Sequence, residues 1–146
     1  MKIAIASDHA GYEYKQALIA HVRGLGHEVI DFGTDSAESC DYPQYIRPAA
    51  EALGRGEVDR AIVLGGSGNG EAMVANRVSH VRCALVWNEW SALMGRQHNN
   101  ANALAIGQRT MDLDLAKQLV DLFLTTDFDG GRHQRRIDQI DACPDG

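Results

Sequence analysis

The stretch RAIVLGGSGNGEAMVA, residues 60–75, contains an apolar run, a turn with four glycines and a helix-forming segment. Continuous apolar character from Ala61 to Leu64 is typical of a parallel strand that is buried on both faces. The glycines allow a sharp turn, and the following residues, through Val78, predict a helix. Strand, turn and helix in this order form the repeating unit of parallel α/β sheets.

The same alternation runs along the whole chain, which we predict to be one domain spanning residues 1–146. Apolar runs predict strands over 2–6, 28–32, 60–64, 83–87 and 103–106. Apolar residues three and four apart predict helix faces, as at Tyr14, Leu18, Val22, Leu25; Ile46, Ala49, Ala50, Leu53; Trp90, Leu93, Met94; Leu115, Leu119, Val120, Phe123, Leu124; and Ile137, Ile140. The sequence therefore predicts a parallel sheet of five strands with helices on both faces.

Composition excludes several classes of function. The net charge of −6 argues against nucleic acid as a partner, and no apolar run approaches the roughly 20 residues of a membrane span. The three cysteines, Cys40, Cys83 and Cys143, are odd in number and form no close pair. We therefore expect neither a disulfide framework nor a zinc site, and we expect a reducing cytoplasm.

Two polar stretches follow predicted strands and should meet at one edge of the sheet. They are SDHAG at 7–11 and GGSGNGE at 65–71. The second resembles a phosphate-binding loop, but Glu71 stands where that loop requires lysine. Backbone N–H groups at a helix start stabilise negative charge, so a carboxylate beside them indicates proton abstraction next to a carbonyl, with an enediolate held by the amides.

Simpler interpretations of these residues stay open. Glu71 would also be favoured in a first helical turn by the helix dipole, and the glycines alone would make a tight turn. Asp8 and His9 would form a solvated pair, or Asp8 would cap a helix. No further ligand stands at metal-binding spacing near Asp8 and His9, so we predict no metal there.

A cationic stretch, GGRHQRR at 130–136, suggests a small anionic ligand. Arg132 and Arg136 are four residues apart and project from one helix face. A phosphate group would offset their unfavourable position in a first helical turn, and Arg109 would join the same site. A solvated basic face is the alternative.

His98 and Asn99 precede the fifth predicted strand. They should therefore lie at the opposite edge of the sheet from Asp8 and Glu71. His98 is then either an ordinary loop histidine or a residue that a second chain supplies. We take as a hypothesis that the site forms at a dimer interface.

Several motifs in order give the chain a resemblance to the RpiB/LacAB sugar-phosphate isomerase family, of the ribose-5-phosphate isomerase B type. They are SDHAG (7–11), EVIDFGT (28–34), DYP (41–43), GGSGNGE (65–71), VANR (74–77), RQHN (96–99), GQR (107–109) and GGRHQRR (130–136). The resemblance implies a Rossmann-like three-layer α/β/α fold and a homodimer. It implies a pentose phosphate pathway reaction, the interconversion of ribose 5-phosphate and ribulose 5-phosphate, without metal or cofactor.

The resemblance also implies a role for each matching residue. Glu71 would be the base and Ser67 would move protons on the substrate oxygens, while Asp8 and His98 would assist ring opening. The remaining site residues would bind the substrate and the enediolate (Gly66, Gly68, Asn69, Gly70, Tyr42, Asn99) or the phosphate (His9, Arg109, Arg132, Arg136). One branch of the family has a cysteine base where this chain has Gly65; the other has a glutamate after the loop, which Glu71 matches.

Two alternatives stay open. The substrate would instead be a six-carbon sugar phosphate, allose 6-phosphate or galactose 6-phosphate, since one sequence does not fix the span between phosphate and carbonyl. A non-catalytic phosphosugar- or nucleotide-sensing module on the same fold is the other. A sensor needs no base, so Glu71 and His98 favour the enzyme.

Overall fold

The computed structural model describes residues 1–142, in which five parallel strands form one sheet in the order β2-β1-β3-β5-β4. The strands are β1 (Lys2–Ser7), β2 (Glu28–Asp31), β3 (Arg60–Gly65), β4 (Cys83–Leu85) and β5 (Ala103–Gly107). The helices are α1 (Tyr12–Gly24), α2 (Pro43–Gly54), α3 (Asn69–Ala75), α4 (Glu89–Gln97), α5 (Leu113–Thr125) and α6 (Arg132–Asp141), with a 3₁₀ turn at His9–Gly11. The predicted α/β architecture is confirmed. Cys143 and the residues after it lie outside this description.

Alternating strand residues build two cores, one on each face of the sheet. On the face covered by α1 and α5, the strands contribute large side chains such as Ile5, Leu64 and Ile106. On the face covered by α2 and α3 they contribute mostly alanine and valine, such as Ala6 and Val63. Each large aliphatic side chain buried in this way contributes about 1.5–3 kcal/mol. Both faces are therefore covered, which makes the three layers.

Some element ends and faces differ from the sequence prediction. The helix after the glycine turn ends at Ala75, because the side chain of Asn76 exchanges hydrogen bonds with the backbone of Cys83. The strand β4 ends at Leu85, because the N–H of Trp87 donates to Ser91 Oγ at the start of α4.

The helix predicted through Trp90, Leu93 and Met94 is α4, but its largest apolar residue is not in the core. Trp90 is 66% exposed, whereas Ala92 and Gly95 face the core. A Cβ atom at Gly95 would lie 2.9 Å from the Cβ of Ala84, so only a glycine lets the helix approach β4 this closely. Small residues, rather than the aromatic one, carry this contact.

The order of the strands places β1 and β3 side by side, with Ser7 opposite Leu64 at their carboxyl ends. Chain connections leave these two strands toward opposite faces of the sheet, which opens a crevice there. No helix within residues 1–142 has the length and apolar character to cross a membrane.

Candidate active site

A cleft of about 460 Å³ opens beyond the carboxyl ends of β1 and β3. It joins both polar stretches that the sequence singled out, together with the end of β5 and the start of α2. Its lining residues are Asp8, His9, Ala10, Tyr42, Gly66, Ser67, Gly70, Glu71, Arg109 and Thr110. The structure thus brings together most of the predicted catalytic and binding residues from one chain.

The glycine loop turns β3 into α3 within a few residues. Gly68 has a φ of +84°, a backbone conformation that residues other than glycine rarely adopt. The carbonyls of Gly65 and Gly66 accept hydrogen bonds from the N–H groups of Gln108 and Arg109, at 2.8 and 3.0 Å. These bonds tie the loop to the end of β5. In the first turn of α3, the N–H of Asn69 donates to Ser67 Oγ and the N–H of Glu71 interacts with its own carboxylate. The N–H of Gly70, between them, is the donor that can hold an anion there.

Glu71 lies in the first turn of α3, and its side chain folds back over the loop. The carboxylate occupies the space that a Cβ atom at Gly65 would fill, so residue 65 has to be glycine in this arrangement. Only 4% of the residue is exposed. Burial raises the pKa of the Glu71 carboxyl; its own backbone N–H opposes this, and the nearby Asp8 carboxylate adds to it. The environment therefore favours a carboxyl that can both take and return a proton.

Asp8 caps the 3₁₀ turn that follows β1. Its Oδ1 accepts hydrogen bonds from the N–H groups of Ala10 and Gly11, at 2.9 and 3.2 Å. The capping interpretation is therefore confirmed, and the same buried residue also lines the cleft beside Glu71. Capping fixes the orientation of this carboxylate without removing it from the site.

His9 and Arg109 place positive or donating groups at the cleft. Nδ1 of His9 accepts a hydrogen bond of 3.2 Å from the N–H of Cys40, so the ring proton of the neutral imidazole is on Nε2. The Arg109 guanidinium lies beside Gly66, with Nη1 3.2 Å from the place of a Cβ atom at that residue. Both groups can donate hydrogen bonds to an anion in the cleft.

Ser67 and Tyr42 complete the wall of the cleft. Ser67 Oγ accepts a hydrogen bond of 3.2 Å from the N–H of Asn69, which fixes the hydroxyl at the loop. The Tyr42 ring packs against Gly70, where a Cβ atom would lie 2.5 Å from Cζ.

The other predicted site residues lie elsewhere in the chain. His98 and Asn99 end α4 and precede β5, while Arg132 and Arg136 are exposed on α6. Arg82, directly before β4, forms an ion pair of 2.8 Å with Asp141. This pair holds α6 at the amino ends of the strands, whereas the cleft is at their carboxyl ends.

Asn99 lines a separate cavity of about 180 Å³, together with Arg82 and Ile140. The His98 ring stacks on His133, with ring centroids 4.2 Å apart. The sequence prediction that His98 lies at the opposite edge from Asp8 and Glu71 is thus confirmed.

Sequence reasoning missed residues in the cleft and beside His98. Ala10 and Thr110 line the cleft, and their only signal in the sequence is that they adjoin His9 and Arg109. His133 contacts His98, and its signal was its place inside the cationic stretch.

Neither Cys40 nor Cys83, the two cysteines within residues 1–142, lines the cleft. Burial raises the pKa of the Cys83 thiol to about 12, with a smaller contribution from the Glu71 carboxylate. Cys83 is therefore a neutral thiol at physiological pH. Cys40 contacts the cleft residue His9, because its N–H donates to Nδ1 at 3.2 Å and its Sγ lies 4.0 Å from the same nitrogen.

A family model described as "Ribose/Galactose Isomerase" matches residues 3–140 of the sequence. The chain belongs to this family. Ribose-5-phosphate isomerase B of Escherichia coli (strain K12) is 43% identical over 141 residues, which cover 97% of this chain and 95% of that protein. The resemblance inferred from the motifs is therefore confirmed.

Solved structures of ribose/galactose isomerases match the fold closely. Ribose-5-phosphate isomerase B of Clostridium thermocellum superposes with a TM-score of 0.95 at 47% identity, covering 97% of this chain and 95% of that one. The Mycoplasma genitalium enzyme, solved with bound ribulose-5-phosphate, gives a TM-score of 0.92 at 38% identity, covering 96% of this chain and 93% of that one.

Proposed function

We propose that this chain is an aldose–ketose isomerase that interconverts D-ribose 5-phosphate and D-ribulose 5-phosphate. The relatives named ribose-5-phosphate isomerase B match almost the whole chain, and one of them was solved with the ketose product bound. The observation that carries the proposal is the buried Glu71 carboxylate folded over the glycine loop. An ordinary helix cap would face solvent, whereas this carboxylate faces the cleft.

In the proposed reaction, Glu71 removes the proton from C2 of the open-chain aldose. The C2–H electron pair forms the C1–C2 double bond, and the carbonyl electron pair moves to O1. The same carboxyl returns the proton to C1, while the O2 pair forms the new carbonyl at C2. A raised pKa suits this exchange, because the group acts as base and as acid in turn.

The glycine loop stabilises the enediolate between these steps. In this proposal, N–H groups of the loop 66–70 other than that of Asn69, which donates to Ser67 Oγ, donate to the developing negative charge. Each well-placed donor contributes about 3 kcal/mol. Ser67 moves protons between the oxygens on C1 and C2, and Asn99 adds a donor. Asp8 and His98 assist the opening of the furanose ring.

A homodimer completes the site in this proposal. His9 and Arg109 lie in the cleft with Glu71, but His98, Asn99, Arg132 and Arg136 are held at the opposite edge of the sheet. One chain does not bring these groups to one substrate, and a second copy related by a two-fold axis can do so. The arginines of the second copy then bind the phosphate. We also propose that the enzyme works in the cytoplasm.

The test is to mix the purified full chain with ribose 5-phosphate and follow the absorbance of the ketose product. We expect conversion to equilibrium, much faster than with allose 6-phosphate or galactose 6-phosphate. Unphosphorylated ribose is the control, since it lacks the group that the arginines bind. Faster conversion of a six-carbon phosphate would reassign the substrate within the family. Tight binding of ribose 5-phosphate without turnover would favour the sensing module.

A further inference from the structure

Three side chains with metal-binding atoms converge where α4 ends and α6 begins. His98, Asp129 and His133 each offer a ring nitrogen or a carboxylate oxygen, and these atoms all lie within 4.8 Å of one another. His98 caps the end of α4, His133 is in the first turn of α6, and Asp129 lies in the loop between α5 and α6. His98 is distant in sequence from Asp129 and His133, so no single stretch of the sequence showed this cluster.

Backbone hydrogen bonds hold this cluster in place. The N–H of Asp129 donates to the carbonyl of Gln97 at 3.0 Å, and the N–H of His98 donates to the carbonyl of Met94 at 2.9 Å. The ligand-bearing loop is therefore fastened to the end of α4. Such anchoring reduces the entropy that is lost when side chains gather around an ion.

The environment of the His133 imidazole favours the uncharged form that binds metals. Partial burial lowers the pKa of His133, and His98, Arg132 and Arg136 lower it further, while the Asp129 carboxylate opposes them. A neutral ring keeps a lone pair for a metal at neutral pH. The same positive neighbours disfavour a cation held by charge alone, so the ion has to form strong bonds to nitrogen.

We infer that His98, Asp129 and His133 bind a divalent transition-metal ion, for which Zn²⁺ is the probe. Two imidazoles and one carboxylate suit zinc, whereas magnesium and calcium prefer oxygen ligands alone. In a tetrahedral zinc site, ligand atoms lie about 3.4 Å apart. The ring planes of His98 and His133 are now 15° apart and stacked, so these part-buried rings tilt toward each other at one edge when the ion binds.

A functional consequence rests on the proposed isomerase reaction. A zinc ion on the His98 imidazole takes the lone pair that ring opening requires, and it lies beside the proposed phosphate-binding arginines. Zinc should therefore inhibit turnover in competition with the sugar phosphate. Asp129 connects the two effects, because it belongs to the metal cluster and has no assigned part in the reaction.

Calorimetric titration of the untagged full chain with Zn²⁺ tests the metal site without using activity. Wild type should bind zinc, and His133→Gln and Asp129→Asn should each weaken binding by roughly 10- to 100-fold or more. Melting curves check that the variants are folded. Mg²⁺ should not bind at this site. Zinc affinity unchanged in both variants would overturn the proposal.

The matched control is His27→Gln. His27 Nδ1 lies 3.0 Å from the N-terminal amine, a pair that could bind a metal without the cluster. This variant should bind zinc as wild type does. If it alone loses zinc binding, the N-terminal pair is the metal site and the cluster is not.

Turnover of ribose 5-phosphate in the presence of Zn²⁺ separates the two proposals. We expect inhibition that excess sugar phosphate relieves and that Asp129→Asn weakens, relative to the zinc-free rate of each protein. If the protein has no isomerase activity but binds zinc, and the cluster variants weaken that binding, the metal site is supported and the proposed function is rejected. Isomerase activity with no zinc binding overturns the metal site alone.

Discussion

The two edges of the sheet differ in the sign and in the exposure of their charged side chains. At the carboxyl edge, Asp8 and Glu71 are almost fully buried and are held by a cap and a glycine turn. At the amino edge, Arg132 and Arg136 are exposed on α6, beside the stacked rings of His98 and His133. In the proposed function, the buried edge supplies the group that changes protonation, and the exposed edge supplies the arginines that bind an anion.

This difference is the reason why the proposed function requires a second copy of the chain. A buried carboxylate functions where water is limited, whereas phosphate-binding arginines have to reach outward from the surface. The carboxylate and the arginines are far apart in one chain. In the proposed dimer they come close together, because the exposed edge of one copy faces the buried edge of the other.

The largest effect should come from the buried edge. Glu71→Gln removes the base and keeps the shape, so turnover should fall by about 10²–10⁴-fold. Binding of ribose 5-phosphate, measured by calorimetry, should stay close to wild type. Glu57→Gln is the control, since Glu57 is exposed and pairs with Arg55 away from the cleft. Near-wild-type turnover in Glu71→Gln would remove Glu71 from the role of base.

Mixing two impaired chains, assayed at a ribose 5-phosphate concentration well below the raised KM, tests whether the edges belong to different copies. One chain carries Glu71→Gln, and the other carries both Arg132→Ala and Arg136→Ala. When they are co-produced, half of the dimers are mixed, and each mixed dimer has one site with both edges intact. Activity should then return to about a quarter of wild type. If the mixture stays as inactive as its parts, each site comes from one chain.

A single change at the exposed edge should affect binding more than chemistry. Arg132→Ala should raise the KM for ribose 5-phosphate by roughly 10- to 100-fold, the value of a hydrogen bond between charged groups. Unphosphorylated ribose should be converted no more slowly than by wild type. Arg23→Ala, an exposed arginine on α1, serves as the control. An equal loss for both sugars would contradict a role in phosphate binding.

The smallest effect concerns stability. Folding raises the pKa of Glu71, so its contribution to stability is present below the usual glutamate pKa and is lost as pH rises through the raised value. Glu71→Gln should therefore melt like wild type in acid and at a higher temperature than wild type at neutral pH. Melting curves at both pH values measure this.

The pKa of Glu57 shifts in the opposite direction from that of Glu71. The hydrogen bond from Arg55 lowers the pKa of the Glu57 carboxyl, so its contribution is present at neutral pH and is lost in acid. Glu57→Gln should not raise the melting temperature at neutral pH. If Glu71→Gln also leaves it unchanged, burial does not destabilise the ionised Glu71.

The sequence was sufficient for the parts of the fold that depend on periodicity and chain order. Continuous apolar runs such as residues 61–64 located all five strands, and strand order explains why Glu71 and Asp8 meet. Trp90 correctly indicated α4 but not the side of the helix that is buried. Gly95 makes the contact with Ala84 through its lack of a side chain, which a hydrophobic pattern does not register.

Part of the candidate site could not be predicted, because it depends on distances between distant segments. The cluster of His98, Asp129 and His133 forms only when the loop before α6 is fastened to α4. Whether Arg132 shares a substrate with Glu71 depends on a second chain. No pattern within one sequence contains that geometry.

The fit of the Glu71 carboxylate over Gly65 also has an evolutionary meaning. A side chain at residue 65 and a carboxylate from residue 71 need the same space, so the two are incompatible alternatives. Consider a lineage that loses a thiol at residue 65 and gains a carboxylate at residue 71. Neither of these two substitutions can be made before the other without a cost. The intermediate would carry two groups in one volume or none, and the two substitutions should therefore be inherited together.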